Sequence, residues 1–118
     1  MMDVPAQVDV EAEILRLSNL AERVTTTLAK RAVESAERDA KYRAAHARAV
    51  LRSSGTVAER EAQAAVDTEV EYLDRKLSEA KLDAAKEAGR NYRAQLDALR
   101  SINANLRGAI LHAEGVGG

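Results

Sequence analysis

The sequence predicts an all-α fold: a long antiparallel helical hairpin, coiled-coil in character, that assembles with further copies of itself. Three observations predict it. Charged residues make up 31% of the chain with both signs interspersed, and proline is absent after Pro5, the composition of long helix rather than globule or disordered coil. Apolar residues recur in alternating steps of four and three. One break, Ser53-Ser54-Gly55-Thr56, divides two such periodic segments.

The first helix is expected over about residues 10–52. Val10, Ile14, Leu17, Ala21, Val24 and Leu28 form a coiled-coil seam. Continuing in that step places Arg31 and Ser35 in the seam, whereas the apolar stripe moves to Ala32, Ala36 and Ala40, then Ala47 and Leu51. Steps of four predict a local stutter there. Asp9 reads as the N-cap, and Gly55 as the left-handed residue that closes the helix.

The turn occupies residues 53–55, and a second helix is expected over about 57–112 between flexible ends. Thr56-Val57-Ala58-Glu59 reads as a capping box, with hydroxyl and carboxylate each satisfying a backbone amide of the other. The stripe then runs Val66, Val70, Leu73, Leu77, Ala80, Ala84, Ala88, Tyr92, Leu96, Leu99, Leu106 and Ile110. Gly89-Arg90-Asn91 is the expected place for a bend, and Gly108 with the glycine-rich tail marks a fraying end.

A connection this short folds helices back antiparallel. The charge blocks agree: residues 1–20 sum to −3, 21–55 to +4, 56–88 to −4 and 89–118 to +2. Folding at Gly55 sets the basic end of the first helix beside the acidic start of the second. A two-helix seam encloses no core, and the Ile14, Leu17, Leu20 and Val24 cluster has little opposite it within one chain. A homo-oligomeric bundle is therefore expected.

The same composition bounds function. With no cysteine, a thiolate metal site, a disulfide framework and a cysteine nucleophile are excluded. His46 and His112 lie in different helices, and neither an HExxH nor a glycine-rich phosphate loop occurs. The acids Glu59, Glu61, Asp67, Glu69, Glu71 and Asp74 read as a solvated face opposite basic residues. No enzyme, catalytic residue, metal or cofactor is expected. The N-terminal stretch lacks a basic region followed by an apolar one, and no apolar run approaches membrane-spanning length. No signal peptide or membrane partner is expected, and a reducing cytoplasm is the expected location.

The segment from Lys41 to Arg52 contains Lys41, Arg43, Arg48, Arg52 and His46 and no acid. Lys41, Arg48 and Arg52 share one helix face, and Arg43 points elsewhere. Such a row beside a loop is able to track a phosphate backbone, with Tyr42 offering a ring for base stacking. The alternative is that these cations only pair with the acidic start of the second helix. A second row, Arg90, Arg93, Arg100 and Arg107, stands in the same position with respect to the acidic N-terminus.

Two short motifs, His46-Ala47-Arg48 followed by Ser54-Gly55, and Leu96-Asp97-Ala98-Leu99-Arg100-Ser101 near the C-terminus, carry a resemblance to the UvsY-like family of phage recombination mediators. The first is similar to the family's Lys-Ala-Arg segment and Ser-Gly turn, and the second to its Leu-Asp-Ala-Ile-Lys-Ser stretch. The resemblance covers roughly residues 40–110 and rests on these two short motifs. It implies single-stranded DNA binding, ring-like homo-oligomers, and help to a RecA-like recombinase in displacing single-strand-binding protein in the host cytoplasm. It places Arg48 at a DNA-contacting arginine, and His46 where the family has a DNA-contacting lysine. That departure implies binding that is weaker, or that strengthens as pH falls toward about 6. The rival reading is a coiled-coil interaction or structural phage protein (assembly chaperone, virion component or host-factor inhibitor) that docks through the seam before Leu28.

Overall fold

The computed structural model describes residues 7–116: α1 (Gln7–Arg52), α2 (Val57–Asp67) and α3 (Glu69–Val116), with no strand among the described residues. The fold is an all-α helical hairpin. No helix is long and apolar enough to cross a membrane. The chain divides into two compact units, Met1–Thr26 with Glu87–Gly118, and Thr27–Lys86.

In the unit containing both ends of the chain, α1 and α3 run antiparallel. Glu11 meets Arg107 at 3.5 Å, and Val24 lies against Gly89. Here the predicted seam is real. Val10, Leu17 and Leu96 are buried, and Ile14, Leu20, Val24, Tyr92, Leu99 and Leu106 are half-buried. The Ile14–Val24 cluster therefore has apolar residues of its own chain packed with it. The expectation that it lacks a partner is corrected: Tyr92, Leu96, Leu99 and Leu106 supply one within the same unit. Asn103 is also buried, its Oδ1 without a partner. A polar seam residue of this kind fixes register at a cost in stability.

Gly89 does not interrupt the helix, since α3 is continuous through it. A Cβ there would lie 3.3 Å from Val24 Cγ1, so the glycine serves close approach of the two helices. Nor does Gly108 end α3. Asp9 is not the N-cap, since α1 already includes Gln7; it lies in the first turn, where a carboxylate still favours the positive end of the helix dipole. The expected flexible ends, with Gly117 and Gly118, lie outside the described residues.

In the Thr27–Lys86 unit the repeat behaves differently from the expected stutter. The buried and half-buried positions on α1 are Leu28, Arg31, Glu34, Ser35, Asp39, Tyr42, Ala45, His46, Ala49 and Val50, while Ala32, Ala36, Ala40, Ala47 and Leu51 are exposed. Arg31, Ser35 and Asp39 follow in consecutive steps of four, so the alternation does shift, but through polar residues and not along the alanine stripe. Alanine buries too little area to redirect a helix against ion pairs and an aromatic pair on the other face. Asp39 Oδ1 lies 3.0 Å from Arg75 Nε, and Glu79 Oε1 lies 3.2 Å from the same nitrogen. Arg75 in turn covers the Tyr42 ring at 5.2 Å, and Tyr42 meets Tyr72 edge-on at 5.7 Å.

The second helix is interrupted at Thr68, which the sequence reading missed. Thr68 has φ −116° and ψ 22° and is buried, and its hydroxyl donates to the Ala64 carbonyl at 2.7 Å. Such back-bonding bends helices. The register supplies the cause. Arg60, Ala64 and Thr68 follow in steps of four before three-four alternation resumes at Glu71, Arg75, Ser78 and Leu82. That extra residue of phase must be absorbed locally.

The turn follows its sequence signature closely. Gly55 has φ +106°, and a Cβ there would lie 2.7 Å from Glu59 Oε2. Thr56 Oγ1 accepts from the Glu59 amide at 3.2 Å, as a cap should. The reciprocal half differs, since the Glu59 carboxylate accepts from the Thr56 hydroxyl at 3.1 Å. Arg60 closes the turn by donating to the Val50 carbonyl at 3.2 Å and 3.3 Å, and the Ser53 hydroxyl donates to the Ala49 carbonyl at 2.8 Å. These bonds satisfy carbonyls that a helix end leaves open. Gly55→Ala is expected to destabilise by about 1–3 kcal/mol through strain and crowding. Thr56→Ala is expected to cost about 1 kcal/mol. Urea unfolding of each variant checks both, and Gly55→Ala unfolding at the parent midpoint would contradict the turn geometry.

Candidate nucleic-acid interface

The C-terminal end of α1 leads into the Gly55 turn and carries the predicted basic segment. Lys41, Arg48 and Arg52 are all exposed. The spacing of seven and four sets them in one row along α1. Among the described residues, no carboxylate oxygen pairs with any of these three within 4.0 Å, whereas Arg43 Nε is held 3.0 Å from Asp39 Oδ2 on its own helix. The helix C-terminus, with its partial negative charge, offsets the cost of gathering the cations there.

The row is thus not used up by the acidic start of α2. The cross-hairpin ion pairs of this unit lie elsewhere. His46 Nε2 sits 3.3 Å from Glu61 Oε2, in the sense the charge blocks predict, and Asp39–Arg75 has the opposite sense. Block sums correctly oriented the hairpin, but individual side chains pair where the seam brings them close.

Two residues of the sequence reading take other roles. His46 is half-buried between the helices, its ring 5.7 Å from that of Tyr42, and it turns toward Glu61 rather than along the Lys41–Arg52 row. Tyr42 is enclosed by Tyr72, His46 and Arg75, so its ring faces are taken. Tyr72 is the more open ring, 41% exposed, with Lys76 Nζ at 5.6 Å from its centroid. Periodicity had given no reason to single it out, because it stands beside the apolar stripe rather than in it.

A shallow groove in the same unit is lined by Arg31, Glu34, Arg38, Asp74, Leu77, Ser78 and Lys81. The Arg31 guanidinium donates to Glu34 at 3.0 Å and holds that carboxyl below the usual carboxylate range. The favourable contribution is present at neutral pH and is lost only on acidification through that lowered value. The pair is solvent-screened and its weight is small.

The second basic row is largely spoken for. Arg90 pairs with Glu87 at 2.9 Å, Arg100 lies 3.9 Å from Asp97, and Arg107 reaches Glu11 at 3.5 Å. Of the two rows, only the one near the turn keeps a run of uncommitted cations. Comparison with protein families, curated proteins and solved structures finds no match for this chain.

Proposed function

We propose that this protein is a non-catalytic single-stranded-DNA-binding protein whose contact surface is the Lys41, Arg48 and Arg52 row. Its role, following the UvsY-like resemblance, is that of an oligomeric recombination mediator that assists a RecA-like recombinase against single-strand-binding protein. One observation carries the DNA reading: three exposed cations on one helix face, near a turn, without a carboxylate partner among the described residues. Cations so placed exchange condensed counterions for phosphates, which favours binding without reading base identity. Repetition of the row in several copies of the chain would add to that affinity.

A specific observation also favours the second reading, a coiled-coil interaction or structural protein. Val66, Val70, Leu73 and Leu77 of α2 and α3 are 57–69% exposed, an apolar face of the kind that meets another protein. The seam before Leu28 is not that face, because it is occupied within its own unit.

Fluorescence anisotropy with a labelled oligo-dT separates the two. Three phosphate contacts give a salt slope of about −2, so affinity is expected to fall about twentyfold between about 50 and about 200 mM salt. Absence of binding at the lower salt, or binding indifferent to salt, would leave the interaction-protein reading standing alone.

A further inference from the structure

The Thr27–Lys86 unit is inverted with respect to size. Its hairpin seam holds Arg31, Asp39, Tyr42, Thr68, Arg75 and Ser78 beside Leu28 and Leu82, while most of its larger aliphatic residues lie outside. Val66 and Val70 are each 69% exposed, Leu73 58% and Leu77 57%, and exposed Ala80 and Ala84 continue the line. The spacing is four, three, four, three, four. That is a coiled-coil seam in its own right, on a face that the hairpin does not use.

We propose that this face is a homodimer interface, on which a second copy of the chain packs antiparallel about a two-fold axis between Leu77 and Ala80. The inference goes beyond the DNA reading and does not depend on it. Charge fixes the occupant and the direction. The residues flanking the stripe are Glu69, Lys76 and Asp83 on one side, and Asp67, Asp74 and Lys81 on the other. In a parallel pair each side meets the opposite flank of the partner, bringing Glu69 onto Asp74 and Lys76 onto Lys81, which repel. In an antiparallel pair each side meets its own counterpart. With the axis between Leu77 and Ala80, Asp74 faces Lys81 of the second copy and Lys76 faces Asp83. Each pair occurs twice by symmetry.

Side-chain size agrees with the same register. In the central layers Leu77 falls on the second copy's Ala80 and Leu73 on its Ala84, large against small, which lets the helices approach closely. Val70 and Val66 fall on its Glu87 and Asn91 at the ends of the contact. The flanking charges are also available. Among the described residues Asp74, Lys81 and Asp83 make no ion pair, and Lys76 has a 3.5 Å contact with Glu79 and lies 5.6 Å from the Tyr72 ring centroid. A stripe of this spacing whose flanks complement themselves antiparallel and conflict in parallel selects another copy of itself.

Sedimentation velocity of the full chain, followed up to about 100 µM, tests the proposal. The expected mass rises to twice the 12.8 kDa of one chain. Leu73→Glu combined with Leu77→Glu is expected to give single chains with unchanged helicity by circular dichroism, because both residues are exposed. Asp74→Lys alone and Lys81→Asp alone are each expected to weaken association about tenfold, and the two together to restore it. The restored double swap cannot be attributed to unfolding. Ala36→Glu, on the exposed α1 stripe, is expected to change nothing. The proposal is overturned if the parent stays a single chain throughout, or if the Leu73/Leu77 double variant still dimerises. Failure of the double swap to restore association, or loss of association in Ala36→Glu, overturns it equally.

Discussion

Leu17→Ala is expected to destabilise the hairpin by about 3 kcal/mol, while Leu77→Ala in the dissociated chain changes stability by less than about 0.5 kcal/mol. Both are leucines at apolar positions of a three-four repeat, and sequence alone ranks them together. Leu17 is 2% exposed and loses nearly all its packing on truncation, leaving a cavity that two long helices close only partly. Leu77 is 57% exposed, and alanine there exchanges a little buried area for a slightly better helix former. Against a total stability of about 5–15 kcal/mol for a domain, the first loss is large. Urea unfolding at sub-micromolar concentration is the measurement, so that association does not add to the Leu77 term. Equal losses at the two sites would mean that the Val66–Leu77 face, and not the polar one, is the hairpin seam.

That contrast marks how far the sequence could be read. The all-α hairpin, the turn at Gly55 and the Thr56 cap were legible because each rests on a local rule. A left-handed residue needs glycine, a cap needs a side-chain oxygen, and a short turn between helices forces antiparallel return. The seam of the end-containing unit was legible because its large residues and its period agree. In the other unit they disagree. The apolar stripe and the three-four register diverge at Arg31, and the choice between them depends on Asp39, Tyr42, Tyr72 and Arg75 meeting across the hairpin. No window along one helix contains that information. Thr68 escaped for the same reason: the interruption there answers a register change between two helices, and its burial reveals it. At the candidate site, helical spacing gave the shared face of Lys41, Arg48 and Arg52. That His46 belongs to the hairpin rather than to the row follows from Glu61, fifteen positions on and across the turn.

Replacing Lys41, Arg48 and Arg52 together by alanine is expected to lower oligo-dT affinity roughly tenfold to a hundredfold at about 50 mM salt, and to take most of the salt slope with it. Among the described residues the three side chains hold no carboxylate, so removing them strands no partner there, and alanine is the strongest helix former. Helicity and unfolding midpoint should therefore stay at parent values, which separates a lost contact from a lost fold. Two controls sharpen the assignment. Arg48→Lys keeps the charge and should bind within about twofold of the parent if phosphate neutralisation is the source of affinity. His46→Ala should also stay within about twofold, because its ring lies against Glu61 and Tyr42 instead of in the row. The resemblance to UvsY-like mediators implies the contrary for His46, a DNA contact in place of a lysine. A large loss in His46→Ala with an unchanged triple variant would move the DNA from the outer face of α1 into the hairpin seam.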